Sequence, residues 1–266
     1  MTEKTLNNRK NGMVVLLLLV LVYVASVVLF IFGVSYDILP LTLISCVWFV
    51  FGWIFFLGLK VLKPQEALVL TLFGKYVGTL KNSGFYFVNP FCTAVNPAAG
   101  TKLNQSGDVK VLGAKQPSGG VDVSIDIPTK KISLKIMTLN NNRQKINDCL
   151  GNPVEIGIAV MWRVVDTAKA VFNVDNYKEY LSLQCDSALR NIVRIYPYDI
   201  APNVDTTGDG IADEGSLRGS SEVVAARIKD EIQDKVSEAG IEILEARITY
   251  LAYAPEIAAV MLQRQQ

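Results

Sequence analysis

Two long runs without a charged residue, both near the N-terminus, constrain this chain more than any other feature. Residues 13–34 read MVVLLLLVLVYVASVVLFIFGV, and residues 41–59 read LTLISCVWFVFGWIFFLGL. As α-helices they would be about 33 Å and about 28 Å long, which matches the hydrocarbon core of a bilayer. Only SYDILP separates them. The sequence therefore predicts a transmembrane hairpin over residues 13–59. A buried pair of core helices is the alternative that such lengths disfavour.

The charges that flank the hairpin predict its orientation. A basic tail over residues 1–12 precedes the first run, and Lys60 and Lys63 follow the second. The connecting turn contains Asp37 and neither lysine nor arginine. Because basic residues favour the cytoplasmic side, both ends of the hairpin are expected there. We therefore expect a two-pass protein of the cell membrane, with a cytoplasmic soluble domain large enough to bury its own core.

The composition argues against several classes of site. The chain has a net charge of +1, no histidine and four scattered cysteines, so neither a zinc site nor a disulfide framework is expected. No nucleophile elbow, P-loop or dinucleotide-binding glycine motif is present. A serine–lysine pair stays open, although no motif places one. We expect no enzymatic activity, no cofactor and no nucleic-acid partner. Neither apolar run contains an ionisable side chain of the kind that marks a transport path, which favours an anchor over a channel.

The soluble part mixes strand and helix patterns and so predicts an α+β domain. Strand patterns cover 66–73 and 76–80, with a turn at Gly74-Lys75. Two further strands, RQKINDCL and VEIGIAVMWRVVD, flank Gly151-Asn152, which predicts a two-residue hairpin turn. Three helical patterns and a long strand follow. Their boundary signals are Asp166 as a cap, Pro197 as a stop and Gly240 as a helix end.

Four blocks of the soluble part are informative when taken together. They are ALVLTLFGKYVGTL…SGFYFVNPF, GNPVEIGIAVMWRVVDTAKAVF, YLSLQCDSALRNIVRIYPYD and GIEILEARITYLAYAPEIAAVMLQRQQ. In type and order these blocks resemble the SPFH, or Band 7, family, which includes stomatin, prohibitin, flotillin and bacterial relatives. The resemblance implies an SPFH domain of antiparallel strands and helices over 60–254. The chain departs from the family pattern in an insertion at 94–128, with a strand expected at 121–127, and in a lengthened loop at 201–215. Residues 255–266 resemble the start of a C-terminal helical segment.

The resemblance also implies a function. Relatives are membrane-anchored scaffolds that self-assemble into rings or cages and organise membrane microdomains or partner membrane proteins. The expected partners are therefore the lipid bilayer, further copies of the chain, and membrane proteases or other membrane proteins. The alternative is a subunit of an oligomeric channel or a regulator of a membrane protease.

Contacts between neighbouring copies are expected on two helices, 222–238 and 255–266. The first carries an apolar stripe with a spacing of four residues. The alternative for this stripe is packing against the chain's own sheet, as amphipathic helices usually do. The candidate contact residues are Val224, Ile228, Ile232, Val236, Ile257 and Met261.

The stretch DTTGDGIADE resembles part of a calcium-binding loop. Asp205, Asp209 and Asp213 take the first, fifth and ninth ligand positions. Ser216 stands where a bidentate glutamate normally closes the site, so affinity should be weak, on the order of 10⁻⁴ to 10⁻³ M. In the cytoplasm such a site should normally be empty. The favoured interpretation is a glycine-rich acidic loop, with weak calcium binding as the alternative.

Overall fold

The structure is a computed structural model that describes residues 2–6, 11–103, 109–111, 129–141, 143–199 and 215–257. Its internal contacts divide the chain into two compact units. The N-terminal unit comprises residues 2–96 and 130–133, and the C-terminal unit comprises residues 97–129 and 134–266.

The hairpin of the N-terminal unit consists of helix α1 (Gly12–Ser35) and helix α2 (Leu39–Phe51), which continues as a 3₁₀ segment over Gly52–Gly58. Both spans, of 24 and 20 residues, are long and apolar enough to cross a membrane. Most of their side chains are exposed, unlike those of a core helix. The Ser26 and Ser45 hydroxyls donate to backbone carbonyls one turn earlier, which satisfies polar groups inside an apolar segment. The predicted hairpin is therefore present, although the second span tightens after Phe51.

Two small antiparallel sheets follow the hairpin. Strand β1 (Leu59–Leu62) pairs with β4 (Gly84–Phe87). In the other sheet, β2 (Glu66–Leu72) lies between β3 (Lys75–Leu80) and β5 (Cys92–Ala94), and it also pairs with β8 (Ile132–Ser133). Side chains from both sheets form one apolar cluster of Leu62, Leu68, Leu70, Leu80, Tyr86, Val88 and Cys92.

The N-terminal tail pairs with strand β3. Thr5 forms a parallel bridge with Thr79, whose N–H donates to the Lys4 carbonyl at 2.8 Å. Lys81 reaches back to the Glu3 carboxylate at 2.6 Å. The segment before α1 and the sheet after the second span therefore bind each other. If the two helices cross a bilayer, this pairing requires both ends of the hairpin to lie on the same side.

The outer ends of the two spans pack against strand β4. The Gly58 carbonyl accepts a hydrogen bond from the Val88 N–H at 2.9 Å, and a Cβ atom at Gly58 would lie 2.4 Å from the Val88 oxygen. A Cβ atom at Gly12 would lie 2.8 Å from the backbone of Phe85. Glycine is needed at both positions because the backbones approach so closely. Strand β4 thus lies directly at the base of the hairpin.

The turn between β2 and β3 falls one residue earlier than the sequence predicted. Leu72 pairs with Lys75, so the turn residues are Phe73 (φ 48°) and Gly74 (φ 81°) and not Gly74-Lys75. Two left-handed residues match the twist of the flanking strands. Glycine adopts this conformation freely, whereas a phenylalanine there is destabilised by about 1–2 kcal/mol. Phe73 is therefore an unfavourable residue for its turn.

The C-terminal unit is built on a four-stranded antiparallel sheet with β11 (Pro153–Val164) at its centre. Strand β12 (Ile241–Tyr253) pairs along one side of β11, with two bulges, and β9 (Met137–Asn140) and β10 (Gln144–Asn147) pair with β11 as well. The remaining elements are the hairpin of β6 (Thr101–Leu103) and β7 (Val109–Val111), helices α3 (Thr167–Phe172), α4 (Tyr177–Val193) and α5 (Ser221–Val236), and a 3₁₀ turn at Ser237–Ala239.

The core of this unit contains Trp162, which is buried as expected and meets Tyr177 of α4 edge to face at 6.3 Å. Two boundary signals are confirmed. The Asp166 carboxylate caps α3 by accepting the Lys169 N–H at 2.9 Å, and Gly240 follows the α5 segment in the left-handed conformation, with φ 65°.

The hairpin between β10 and β11 is confirmed, but its two-residue turn was wrong. Asn147 pairs with Pro153, which leaves residues 148–152 as the connection. The Asp148 carboxylate accepts the N–H groups of Leu150 and Asn152 at 3.0 and 2.7 Å. An aspartate that binds its own backbone stabilises a longer loop, so Gly151-Asn152 alone did not determine the turn.

The segment 94–128 is attached to helix α4 near its start. Ala98 and Thr101 are buried, and Asn176 donates to the Thr101 hydroxyl at 2.8 Å. The Lys178 ammonium donates to the carbonyls of Ala98 and Thr101 at 3.2 and 2.5 Å. Burial lowers the pKa of Lys178 below its ordinary value. The beginning of the segment is therefore part of the packed unit, and the strand expected near its end lies outside the described residues.

Candidate functional site: the groove between helix α5 and strand β12

The apolar stripe of α5 faces the interior of the chain. Val224, Ile228, Ile232 and Val236 are each 0% exposed, and α5 packs mainly on β12 and α4. This arrangement corrects the expectation that the four side chains contact a neighbouring copy, because they are already covered within the chain. The structure favours the alternative, in which the stripe packs on its own sheet. What α5 offers to a partner is its opposite, polar face.

A glutamine joins α5 to the start of β12. The Gln233 side-chain nitrogen donates to the Ile241 carbonyl at 3.2 Å, and its side-chain oxygen accepts the Ile243 N–H at 2.7 Å. In the described part of the chain, β11 is the one strand that pairs with β12, so β12 is an edge strand there. An exposed edge is a template for pairing with another chain. Gln233 satisfies the first backbone groups of this edge.

An open groove follows the edge beyond Gln233. Its volume is about 530 Å³, and it runs between α5 and residues 244–248 of β12. Small side chains, Ala225 and Ala226, line its helical side. A second depression of about 610 Å³ shares Lys229 with it and continues towards Gly240. The charged residues of the first groove are Glu222, Lys229, Glu245 and Arg247.

This groove has the character of a protein-binding surface. Small-molecule sites are mostly enclosed and lined by apolar side chains, whereas this groove is open and bordered by both signs of charge. Arg247 forms an ion pair with Glu245 within the groove. An extended segment or the surface of another protein would fit such a shape better than a compact ligand.

Helix α4 holds α5 in place behind the groove. The Tyr180 hydroxyl donates to the Lys235 carbonyl at 3.0 Å, and the Asn191 amide donates to the Glu231 carboxylate at 3.2 Å. Hydrogen bonds from Lys235 and from Asn191 lower the pKa of Glu231, so this carboxylate is charged at neutral pH. These bonds fix the orientation of α5 and make the groove a preformed surface.

The other predicted site residues are not brought to this groove. Ile257 is half-buried in the last described turn after β12, and Met261 lies outside the described residues. Asp205, Asp209 and Asp213 also lie outside them. Among the residues that are described, no group of acidic or cysteine side chains could hold a metal ion.

Ser216, which takes the closing position of the calcium-like loop, has a local role. It is buried, and its hydroxyl oxygen accepts the Gly219 N–H at 2.8 Å. This hydroxyl therefore supports the turn before α5.

The two buried cysteines of the soluble part show no sign of a reactive site. Cys92 and Cys185 are buried, and burial raises the pKa of both thiols. A thiol with a raised pKa is a poor nucleophile at neutral pH. Both behave as small buried apolar residues.

The groove itself was not predicted from the sequence. It depends on Gln233 reaching β12 and on which strand occupies the sheet edge, and neither is visible in residue spacing. The small pair Ala225-Ala226, on the side of α5 away from the stripe, was the one available signal.

The chain combines an apolar helical hairpin with an α+β domain of antiparallel sheets, which defines a class of membrane-associated proteins. The family model described as "SPFH domain / Band 7 family" matches residues 60–266, more than half of the chain. The protein therefore belongs to the SPFH/Band 7 family, and both the resemblance and the predicted fold class are confirmed. The search of curated proteins found no match.

Proposed function

We propose that this protein is a membrane-anchored scaffold that self-assembles and organises membrane microdomains or partner membrane proteins. Family membership supports a scaffold role, and SPFH proteins are generally not enzymes. The observation that carries the proposal is the pairing of the N-terminal tail with β3, because it joins the two ends of the hairpin on one side. A hairpin of that kind anchors a domain and leaves its surface free for partners.

The cytoplasm is the proposed side for the soluble domain. Lys60 and Lys63 follow the second span, while the turn between the helices carries Asp37 and no basic residue. The tail pairing adds Lys4 to the same end. All these cations would therefore lie at the cytoplasmic surface under the positive-inside rule.

The groove between α5 and β12 is the proposed contact with a neighbouring copy. It is preformed, lies beside an edge strand and carries both signs of charge, so an oppositely arranged pair of charges on another copy could match it. The small Ala225 and Ala226 side chains allow close approach of a neighbour. Assembly of this kind would build a ring or a cage.

A single substitution can test the groove without altering the rest of the domain. Ala226→Arg places a long cation in the groove without disturbing the buried stripe. Leu183→Arg is the matched control, because Leu183 is also an exposed apolar residue on a helix of the same unit. Mass photometry of the solubilised protein should show a species of many subunits for the wild type and the control. Ala226→Arg should shift the population to smaller species.

The outcomes distinguish the scaffold proposal from the choice of surface. A wild-type protein that is a uniform monomer or dimer would refute self-assembly itself. A large wild-type species that both variants leave unchanged would refute the groove as the contact.

A further inference from the structure

Two phenylalanine rings lie exposed side by side on the N-terminal unit. Phe73 is 87% exposed and Phe91 is 58% exposed, and their rings stack with centroids 6.3 Å apart. Exposed aromatic rings in a cluster usually mark a contact surface. Phe73 also occupies a left-handed turn position that favours glycine or asparagine. Phe73 is thus unfavourable in its turn conformation, and its apolar ring is exposed to solvent. This combination suggests that the ring contacts something other than the rest of the chain.

The strand register places this pair at the hairpin end of the unit. In β4, Phe87 pairs with Leu59, the residue that directly follows the second span, and Val88 bonds to Gly58 of that span. Phe91 lies three residues further on, in a turn closed by the bond from the Cys92 N–H to the Asn89 carbonyl. Phe91 therefore lies beside the point where the chain leaves the membrane span.

The strand order also places Phe73 at the hairpin end of the N-terminal unit. Strand β1 leads away from the span, the chain turns back after Leu62, and β2 returns to end at Leu72, where it pairs with Cys92. The turn that contains Phe73 and the turn that contains Phe91 thus project together. The turn at residues 81–83 lies at the opposite end of these strands, because it follows β3 and leads into the residue that pairs with Leu62.

We propose that the Phe73–Phe91 pair inserts into the interfacial region of the bilayer beside the hairpin. The ligand is the lipid surface: the two rings would enter the boundary between headgroups and acyl chains. Lys75, at the start of β3, would lie among the lipid phosphates. This inference rests on the proposed membrane anchoring and adds a second contact to it. The contact would hold the N-terminal unit at a fixed tilt to the membrane surface.

Because the strands are long, the two ends of the N-terminal unit should lie at different distances from the bilayer, and probes at each end can measure this difference. Strand β2 has seven residues, so the two ends of the unit differ by roughly 20 Å along the strands. A probe at Lys75 should contact lipid, whereas a probe at Asn82, at the opposite end, should lie in water. Asn82 is exposed, so the two positions form a matched pair.

The experiment uses the full chain in lipid nanodiscs, with the environment-sensitive fluorophore NBD on single cysteines. Cys46 and Cys149 are replaced by alanine, and the probe is placed by Lys75→Cys or Asn82→Cys. Native Cys46, in α2, serves as the positive control when it is the labelled residue. Lipids that carry a nitroxide near the headgroup end of the acyl chain quench probes that contact the bilayer. The decisive comparison repeats Lys75→Cys in a Phe73→Ser, Phe91→Ser background.

We expect quenching at position 75 to exceed that at position 82 at least about threefold, since insertion brings nearby residues to the headgroup boundary. The two serine substitutions should remove this excess while the melting temperature stays unchanged, because both rings are exposed. Equal quenching at 75 and 82, with Cys46 quenched, would overturn the inference and leave the anchoring intact. A probe at 75 that is shielded from water but not quenched would place the pair against protein and would also overturn it. Failure to quench Cys46 would instead refute the membrane anchoring.

Discussion

Gly240 links α5 to the edge strand β12, and replacing it with alanine should disrupt this junction. Its φ of 65° is left-handed, and a Cβ atom there would lie 2.2 Å from the Asp166 carbonyl oxygen and 2.9 Å from the Asp166 Cβ. The Gly240 carbonyl also accepts the N–H groups of Val165 and Asp166, so the backbone cannot move away without losing bonds. The added methyl group therefore meets atoms that are held in place.

The magnitude follows from two contributions. A non-glycine residue in the left-handed conformation is destabilised by about 1–2 kcal/mol. Overlap with fixed atoms adds about 1–3 kcal/mol. Gly240→Ala should therefore lower the free energy of unfolding by about 2–5 kcal/mol. Gly151 is the matched control, because its φ of 85° is also left-handed but no described atom lies within 4 Å of its Cβ position. Gly151→Ala should cost only the conformational term of about 1–2 kcal/mol.

The assay is pulse proteolysis in urea of the full chain in a mild detergent, which measures the fraction of folded C-terminal unit for each variant. Both variants place alanine in a left-handed conformation, so the difference between their losses of stability measures the steric overlap of the Gly240→Ala methyl group alone. Equal losses within about 0.5 kcal/mol, the usual range of a neutral surface change, would show that the contact of Gly240 with Asp166 does not matter. The packing account of the junction would then be refuted.

Three further predictions concern pH, topology and calcium. Burial and, to a lesser extent, the Asp186 carboxylate raise the pKa of the Cys185 thiol above its ordinary value near 9, so the unfolded chain loses this proton first. The free energy of unfolding should therefore fall above about pH 9, by up to about 1.4 kcal/mol per pH unit. In urea titrations, Cys185→Ala should make this fall shallower. A slope that the substitution leaves unchanged would contradict the prediction. In intact cells, an impermeant maleimide should label Asp37→Cys and not Leu150→Cys, in a background without exposed native cysteines, and the reverse pattern would overturn the orientation. Calorimetry should show no micromolar calcium isotherm, whereas one that Asp209→Ala abolishes would establish a true calcium site.

The elements that the sequence predicted well are those with local causes. The hairpin was predictable because two uncharged runs of that length have few other stable environments. Its helical bounds, Gly12–Ser35 and Leu39–Phe51 with the 3₁₀ continuation, differ little from the apolar runs. Gly240 was identified because a helix commonly ends at a left-handed glycine.

The elements that were missed depend on side-chain contacts that residue spacing does not report. The apolar stripe of α5 has the same spacing whether it faces a sheet or a neighbouring copy, so burial decided between them. The β10–β11 connection lengthened because the Asp148 carboxylate binds two N–H groups of its own loop. The stacking of Phe73 on Phe91 joins the β2–β3 turn to the connection between β4 and β5, and no periodicity in the sequence reports it.

Electron microscopy of the full chain reconstituted into liposomes tests the central proposal, an anchored and self-assembling scaffold, most directly. The account predicts closed assemblies of many subunits on the membrane surface, with all soluble domains of one assembly on the same side of the bilayer. Isolated particles of one or two subunits scattered over the membrane, at protein densities where neighbours meet, would contradict it.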